Sequence, residues 1–144
     1  EYDYSHMKAL VIDDQAFVRR IIGNLLRQMG FKEVMEATDG ADGLKITKTL
    51  RPHVIVCDIE MEPVDGLTFL QILRTGKDVS DHHIPVVFLT SHTDSDIVRR
   101  ARALNVNAFV VKPPSLTTLT ERISFVLFRQ HEEGAPPPPL KPKT

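Results

Sequence analysis

Short apolar stretches alternate with longer amphipathic ones along this chain, and that rhythm restricts the fold more than any other feature. The apolar stretches are Lys8–Ile12, 32–37, 54–57, 85–89 and Ala108–Val111. All but 32–37 are nearly continuous apolar runs, as expected of strands covered on both faces. Between them the period lengthens. Over Ala16–Met29, Val18, Ile22, Leu25 and Met29 recur at helical spacing and Gly30 stands past the end. Asp39 can cap a helix over 40–50, in which two glycines weigh against helix formation. Leu67, Leu70 and Leu73 mark a third helix that ends near Gly76. Ile97, Ala101 and Leu104, with Val98 beside them, sketch a fourth with a thin apolar stripe. Ser115 can cap a last one carrying Leu116, Leu119, Ile123, Val126 and Leu127. Such alternation predicts an α/β fold, a doubly wound five-stranded parallel sheet.

The chain has 144 residues, enough for one domain and a tail. Its hydrophobic fraction of 42% suits a globular core, and no apolar run approaches the ~20 residues of a membrane helix. A net charge of −1 gives no basic footprint for nucleic acid. The single Cys57 cannot form an internal disulfide, and no signal-peptide pattern is visible, so a cytoplasmic protein is expected. Residues 1–6 read as an expression remnant and 7–130 as the folded domain. The Pro-rich 131–144 is expected to be a flexible tail or linker.

In an open parallel sheet, ligands bind beyond the carboxyl ends of the strands. There the first run ends in Asp13 and Asp14, the third in Asp58, the fourth in Thr90 and Ser91, and the fifth in Lys112. The second ends without an evident purpose near Glu36, as suits an edge strand in the order 2-1-3-4-5. Carboxylates crowded into one crevice raise each other's pKa unless a cation joins them. Oxygen ligands with water suit Mg²⁺ at about 2.1 Å. An ammonium and a hydroxyl beside them complete a receptor for a phosphoryl group, whose transfer needs positioning and charge neutralisation. A carboxylate can be the nucleophile. The central one, Asp58, is expected in that role, with Asp13 and Asp14 holding the metal. Glu62 and Asp65 are expected to serve solvation and turn formation.

These residues carry a resemblance. Asp13-Asp14, Asp58 followed by Met61, Asp65 and Gly66, then Thr90 and Lys112-Pro113, resemble a response-regulator receiver domain with the flavodoxin-like, CheY-like fold. The stretch 17–31, FVRRIIGNLLRQMGF, further resembles the single-domain chemotaxis regulators. The resemblance implies two-component phosphorelay signalling. Asp58 would accept a phosphoryl group from a phosphohistidine on a sensor histidine kinase or phosphotransfer protein. Asp13, Asp14, Asp58 and the Glu60 backbone carbonyl would bind Mg²⁺. Thr90 and Lys112 would contact the phosphoryl oxygens, and Phe109 would be the switch aromatic. Glu60 and His92 occupy the two positions that tune phosphoryl lifetime. The bond before Pro113 is cis in the family. The chain departs from the pattern at Pro63, one place late, and at Pro114, where an aromatic is common.

Thr90 moving toward a phosphoryl group would vacate space for Phe109 and alter the face of helix 4, strand 5 and helix 5, where a downstream protein target is expected. Arg99, Arg100 and Arg102 are expected to face outward there. Arg19 and Arg20 on helix 1 are expected near the docking site of the phosphodonor, with Phe17. His82-His83 reads as a polar loop, and Cys57 as a small buried residue. The main rival is an aspartate-nucleophile phosphatase of the haloacid dehalogenase type, whose nucleophile ends the first strand as D-x-D. A second rival is a degenerate receiver that never takes phosphate, and a third possibility is a fragment of a longer regulator. The receiver reading implies no enzymatic turnover beyond self-phosphorylation and autodephosphorylation.

Overall fold

The computed structural model describes residues 2–79, 81–91 and 95–129. The strands are β1 (Lys8–Ile12), β2 (Glu33–Ala37), β3 (Val54–Asp58), β4 (Val86–Thr90) and β5 (Ala108–Val111). They form one parallel sheet in the order β2-β1-β3-β4-β5, as the sequence predicts. The helices are α1 (Ala16–Met29), α2 (Gly40–Leu50), α3 (Gly66–Thr75), α4 (Ser95–Ala103) and α5 (Leu116–Ser124). The fourth strand runs one residue later than the apolar run suggests, which brings Thr90 into the ladder opposite Val111. The last helix stops short of Val126 and Leu127, which lie in a π-helical turn, Phe125–Arg129.

Alternation along each strand divides the core in two. Leu10, Ile12, Ile55, Cys57, Val86, Phe88 and Phe109 face α2, α3 and α4 on one side. Ala9, Val11, Val54, Val56, Val87, Leu89 and Val110 face α1 and α5 on the other. Both sides are therefore dry, which is why the strands read as unbroken apolar runs. The two glycines of α2 allow close approach, Gly40 to Val64 in the loop after β3 and Gly43 to the sheet. A Cβ at Gly43 would collide with the Ile12 side chain and touch Phe69 at 3.3 Å.

The expected caps form. Asp39 accepts from the Asp42 amide at 3.0 Å and Ser115 from the Thr118 amide at 3.0 Å. Residues 2–6 take part in the packing: Tyr4 is buried, stacks on Phe31 at 4.9 Å and meets Phe128 at 5.8 Å. Tyr2 stacks on Phe128 at 4.3 Å. Among the described residues no helix is long and apolar enough to cross a membrane. The tail expected over 131–144 and His92, expected at a position that tunes phosphoryl lifetime, lie outside the described residues.

Candidate functional site

The carboxyl ends of β1, β3, β4 and β5 converge as the sequence requires. Ile12 pairs with Cys57, Asp58 with Leu89, and Thr90 with Val111, so the polar residues that follow share one rim. Asp13 is fully buried, Asp58 is 6% exposed and Asp14 is open to solvent. Carboxylate oxygens of all three lie within 4.8 Å of one another. Lys112 reaches into this group, with its Nζ 3.2 Å from Asp13 Oδ2 and 3.1 Å from Asp58 Oδ1. Its amide donates to the Thr90 carbonyl at 2.8 Å, which ties the ends of β5 and β4 together.

The charges are poorly balanced. Burial drives the Asp58 pKa from 3.8 up to about 6. The Lys112 ammonium opposes that rise, Asp13 adds to it, and the Glu60 amide opposes it by a hydrogen bond. Burial also works against the ammonium of Lys112, but the carboxylates of Asp58 and Asp13 outweigh it and hold its pKa above the ordinary value. Burial likewise pushes the Cys57 thiol well above its ordinary value, with Asp58 and Asp13 adding to the effect, so Cys57 is an inert neighbour. One ammonium cannot neutralise three carboxylates. Hard oxygen donors at this spacing, one of them open to water, suit a small divalent cation such as Mg²⁺.

The loop after β3 turns back against the end of that strand. Asp65 caps α3 by accepting from the Thr68 amide at 2.8 Å. The Gly66 amide donates back to the Ile59 carbonyl at 2.8 Å. A Cβ at Gly66 would stand 2.5 Å from the Asp58 carbonyl oxygen and 2.8 Å from Ile59 Cα, so only glycine fits there. Asp65 and Gly66 thus fold the chain back under Asp58. Both Glu62–Pro63 and Lys112–Pro113 are cis. Glu60 is exposed at the mouth, where it lines a groove with Asp14, Ile59, Met61, Glu62 and Arg100 among others.

Thr90 is buried at the end of β4. Phe109 is buried too, tilted against Phe88 at 6.3 Å and within the cluster that includes Ala101 of α4. Among the side chains described on α4, only Ala101 is fully buried, in keeping with the thin stripe. Arg99, Arg100 and Arg102 are exposed, as expected. Helix α1 differs from expectation. Phe17 is 69% exposed and Arg20 is exposed, but Arg19 folds back onto the protein, with its side chain only 14% exposed. The sequence reading also missed Arg122, a fully buried cation whose Nε donates to the Phe109 carbonyl at 3.0 Å. Burial lowers its pKa, and Glu121 at 3.5 Å opposes that. The signal was available: Leu119, Arg122, Ile123 and Val126 stand at i, i+3, i+4 and i+7, which places Arg122 on the apolar stripe.

A sheet in this order with these groups at its carboxyl rim has known counterparts. Residues 9–124 match the family described as the response regulator receiver domain. The chain belongs to that family. The chemotaxis protein CheY of Pseudomonas aeruginosa is 34% identical over 123 residues, 85% of this chain and 98% of the relative. Chemotaxis protein CheY-3 of Vibrio cholerae is 32% identical over 124 residues, 86% of this chain and 94% of the relative. Among solved structures, chemotaxis protein CheY4 of Vibrio cholerae superposes with a TM-score of 0.76 at 27% identity, covering 84% of this chain and 98% of the other. The receiver domain of the Francisella response regulator 1452 gives 0.76 at 26% identity, covering 87% and 99%. This is therefore a CheY-like receiver domain of two-component signalling, a regulatory module of a kind that works with histidine kinases and downstream targets. Membership disposes of the phosphatase rival on fold as well: Asp58 ends the third strand, not the first.

Proposed function

We propose that this receiver domain signals by taking a phosphoryl group on Asp58 from a phosphohistidine of a sensor histidine kinase or phosphotransfer protein. One observation carries the reading: Lys112 bridges Asp13 and Asp58 at 3.2 and 3.1 Å inside a cluster of three carboxylates. In the proposed step an Asp58 carboxylate oxygen attacks phosphorus in line with the P–N bond. The O–P bond forms as the P–N bond breaks, and the imidazole nitrogen keeps the electron pair. Mg²⁺, held by Asp13, Asp14, Asp58 and the Glu60 carbonyl, would supply charge neutralisation for the phosphoryl oxygens. Lys112 and the Thr90 hydroxyl bind those oxygens as charge accumulates.

The same reading extends outward. Thr90, drawn to the phosphoryl group, leaves room that Phe109 fills, and the face built by α4, β5 and α5 changes for a downstream protein. Glu60 and His92 set the rate at which water removes the phosphoryl group. The working receiver, residues 7–130, acts in the cytoplasm and contacts neither nucleic acid nor membrane. Exposure to a small acyl phosphate with Mg²⁺, read by intact mass, tests the core of this. Wild type should gain one phosphoryl group and Asp58→Asn none. Equal labelling of both would remove Asp58 from the reaction.

A further inference from the structure

Asp13 and Asp14 lie beyond the ladder of β1, where a strand end is free to twist. The Asp13 amide still donates to the Ala37 carbonyl at 3.2 Å, the last tie to β2. Asp13 Oδ1 accepts from the Gln15 amide at 2.9 Å, which shapes the turn into α1. The remaining variable is the peptide plane between the two acids, whose carbonyl is that of Asp13. Arg19, one turn into α1, donates its Nη1 to that carbonyl at 2.7 Å. Its Nε is held in turn by Glu36 Oε1 of β2 at 3.2 Å.

We infer that Arg19, fixed by Glu36, is a positioning residue that orients the Asp13–Asp14 peptide and so both acids for a divalent cation. The inference rests on the metal reading given above. The Arg19–Glu36 pair is open to solvent on the Glu36 side, with that side chain 40% exposed. A single pair at a surface edge contributes only ~0–1 kcal/mol to stability, so its geometry has a better account as orientation than as stabilisation. Arginine suits the task because its rigid planar fork fixes the directions of two separate donors, Nε to Glu36 and Nη1 to the Asp13 carbonyl, where a lysine offers a single rotatable ammonium. Groups behind metal ligands commonly change metal affinity about 10-fold or more when removed. Glu36, at the end of an edge strand with no part in the acid cluster itself, thereby gains a purpose.

The sign of the effect separates orientation from simple electrostatics. Removing a cation near three carboxylates should tighten Mg²⁺ binding if charge alone matters. Loss of orientation should weaken it. The experiment is Mg²⁺ titration of wild type, Arg19→Ala, Arg19→Lys, Glu36→Gln and Arg20→Ala, followed by calorimetry or amide NMR shifts, with thermal melts on each. Arg19→Ala should bind Mg²⁺ about 10-fold more weakly, Arg19→Lys should fall between, and Arg20→Ala, an exposed neighbour of equal charge, should match wild type. If Arg19→Ala fails to fold, Arg19→Lys decides, because it keeps the charge: lost orientation predicts a several-fold loss of affinity and charge alone predicts none, and Glu36→Gln should lose affinity alongside it. Affinity unchanged or tightened in the folded variants overturns the inference, as does a wild type that binds no Mg²⁺. Wild type that binds Mg²⁺ with the predicted variant pattern but takes no phosphoryl group would sink the phosphoacceptor reading and leave Arg19 in its role.

Discussion

Lys112 and Arg74 sit at opposite ends of the same sheet, and each draws oxygens from several chain segments. Arg74, at the end of α3, places all its N–H groups on neutral acceptors. Nε and Nη2 reach the Asn105 carbonyl at 3.2 and 3.0 Å, and Nη2 also reaches Asn107 Oδ1 at 2.8 Å. Nη1 reaches the His82 and Ile84 carbonyls at 3.0 and 2.8 Å. Nothing is left to offer a ligand. Lys112 faces carboxylates instead, and too many of them. One end of the sheet is saturated and holds the connections before β4 and β5 together. The other is left electrically unfinished, which is the condition for binding something.

The contrast is most easily broken at the saturated end. Arg74→Ala should cost about 3 kcal/mol, because several half-buried acceptors lose their donor together. Urea unfolding measures this, and the folded variant should still take up a phosphoryl group. Wild-type stability in Arg74→Ala would mean that water replaces the clamp without loss.

Next in size is the pH dependence at the unfinished end. The Asp58 carboxyl binds its proton more tightly folded than unfolded, with its pKa about 6 against 3.8. Its contribution is fully present below 3.8 and is lost as pH rises through about 6. Without divalent ions, stability should therefore fall over that window by up to about 3 kcal/mol from this group. Asp58→Asn should flatten the slope, and a series of melts from acid to neutral pH in both proteins checks it. An equal slope in the two would place the titration elsewhere.

Gly66→Ala sharpens the link between loop and Asp58. Its Cβ meets the Asp58 carbonyl and Ile59 Cα, so a loss of about 2 kcal/mol is expected, with phosphoryl uptake slowed in the molecules that remain folded. Wild-type uptake would show that the loop can shift without moving Asp58. The smallest effect belongs to the surface. Arg99 and Asp96 pair on exposed α4, and Arg99→Ala should change stability by less than about 0.5 kcal/mol. A larger change in chemical unfolding would mean that α4 is anchored by charge as well as by Ala101.

What the sequence made legible was whatever depends on neighbours along the chain. Strand alternation, the caps at Asp39 and Ser115 and the polar residues at strand ends follow from local chemistry, and the known order of such sheets brings the last of these together. Arg74 was not legible because its acceptors lie 8 to 33 residues away in connections without a pattern. Arg19 looked like a docking residue because charge on a helix usually faces water. Its partners, Asp13 and Glu36, come within reach only once β1 and β2 pair. Tyr4 was set aside with the segment around it, and only the juxtaposition of Phe31 with Phe128 gives it somewhere to go.

That aromatic stack has a practical consequence. A protein trimmed to begin at Met7 would lose the rings that lie over Phe31 and Phe128, baring greasy surface on the flank away from the acids. Its solubility and tendency to self-associate would change while its reactive pocket stayed intact, so the choice of where to start the polypeptide is itself an experimental variable.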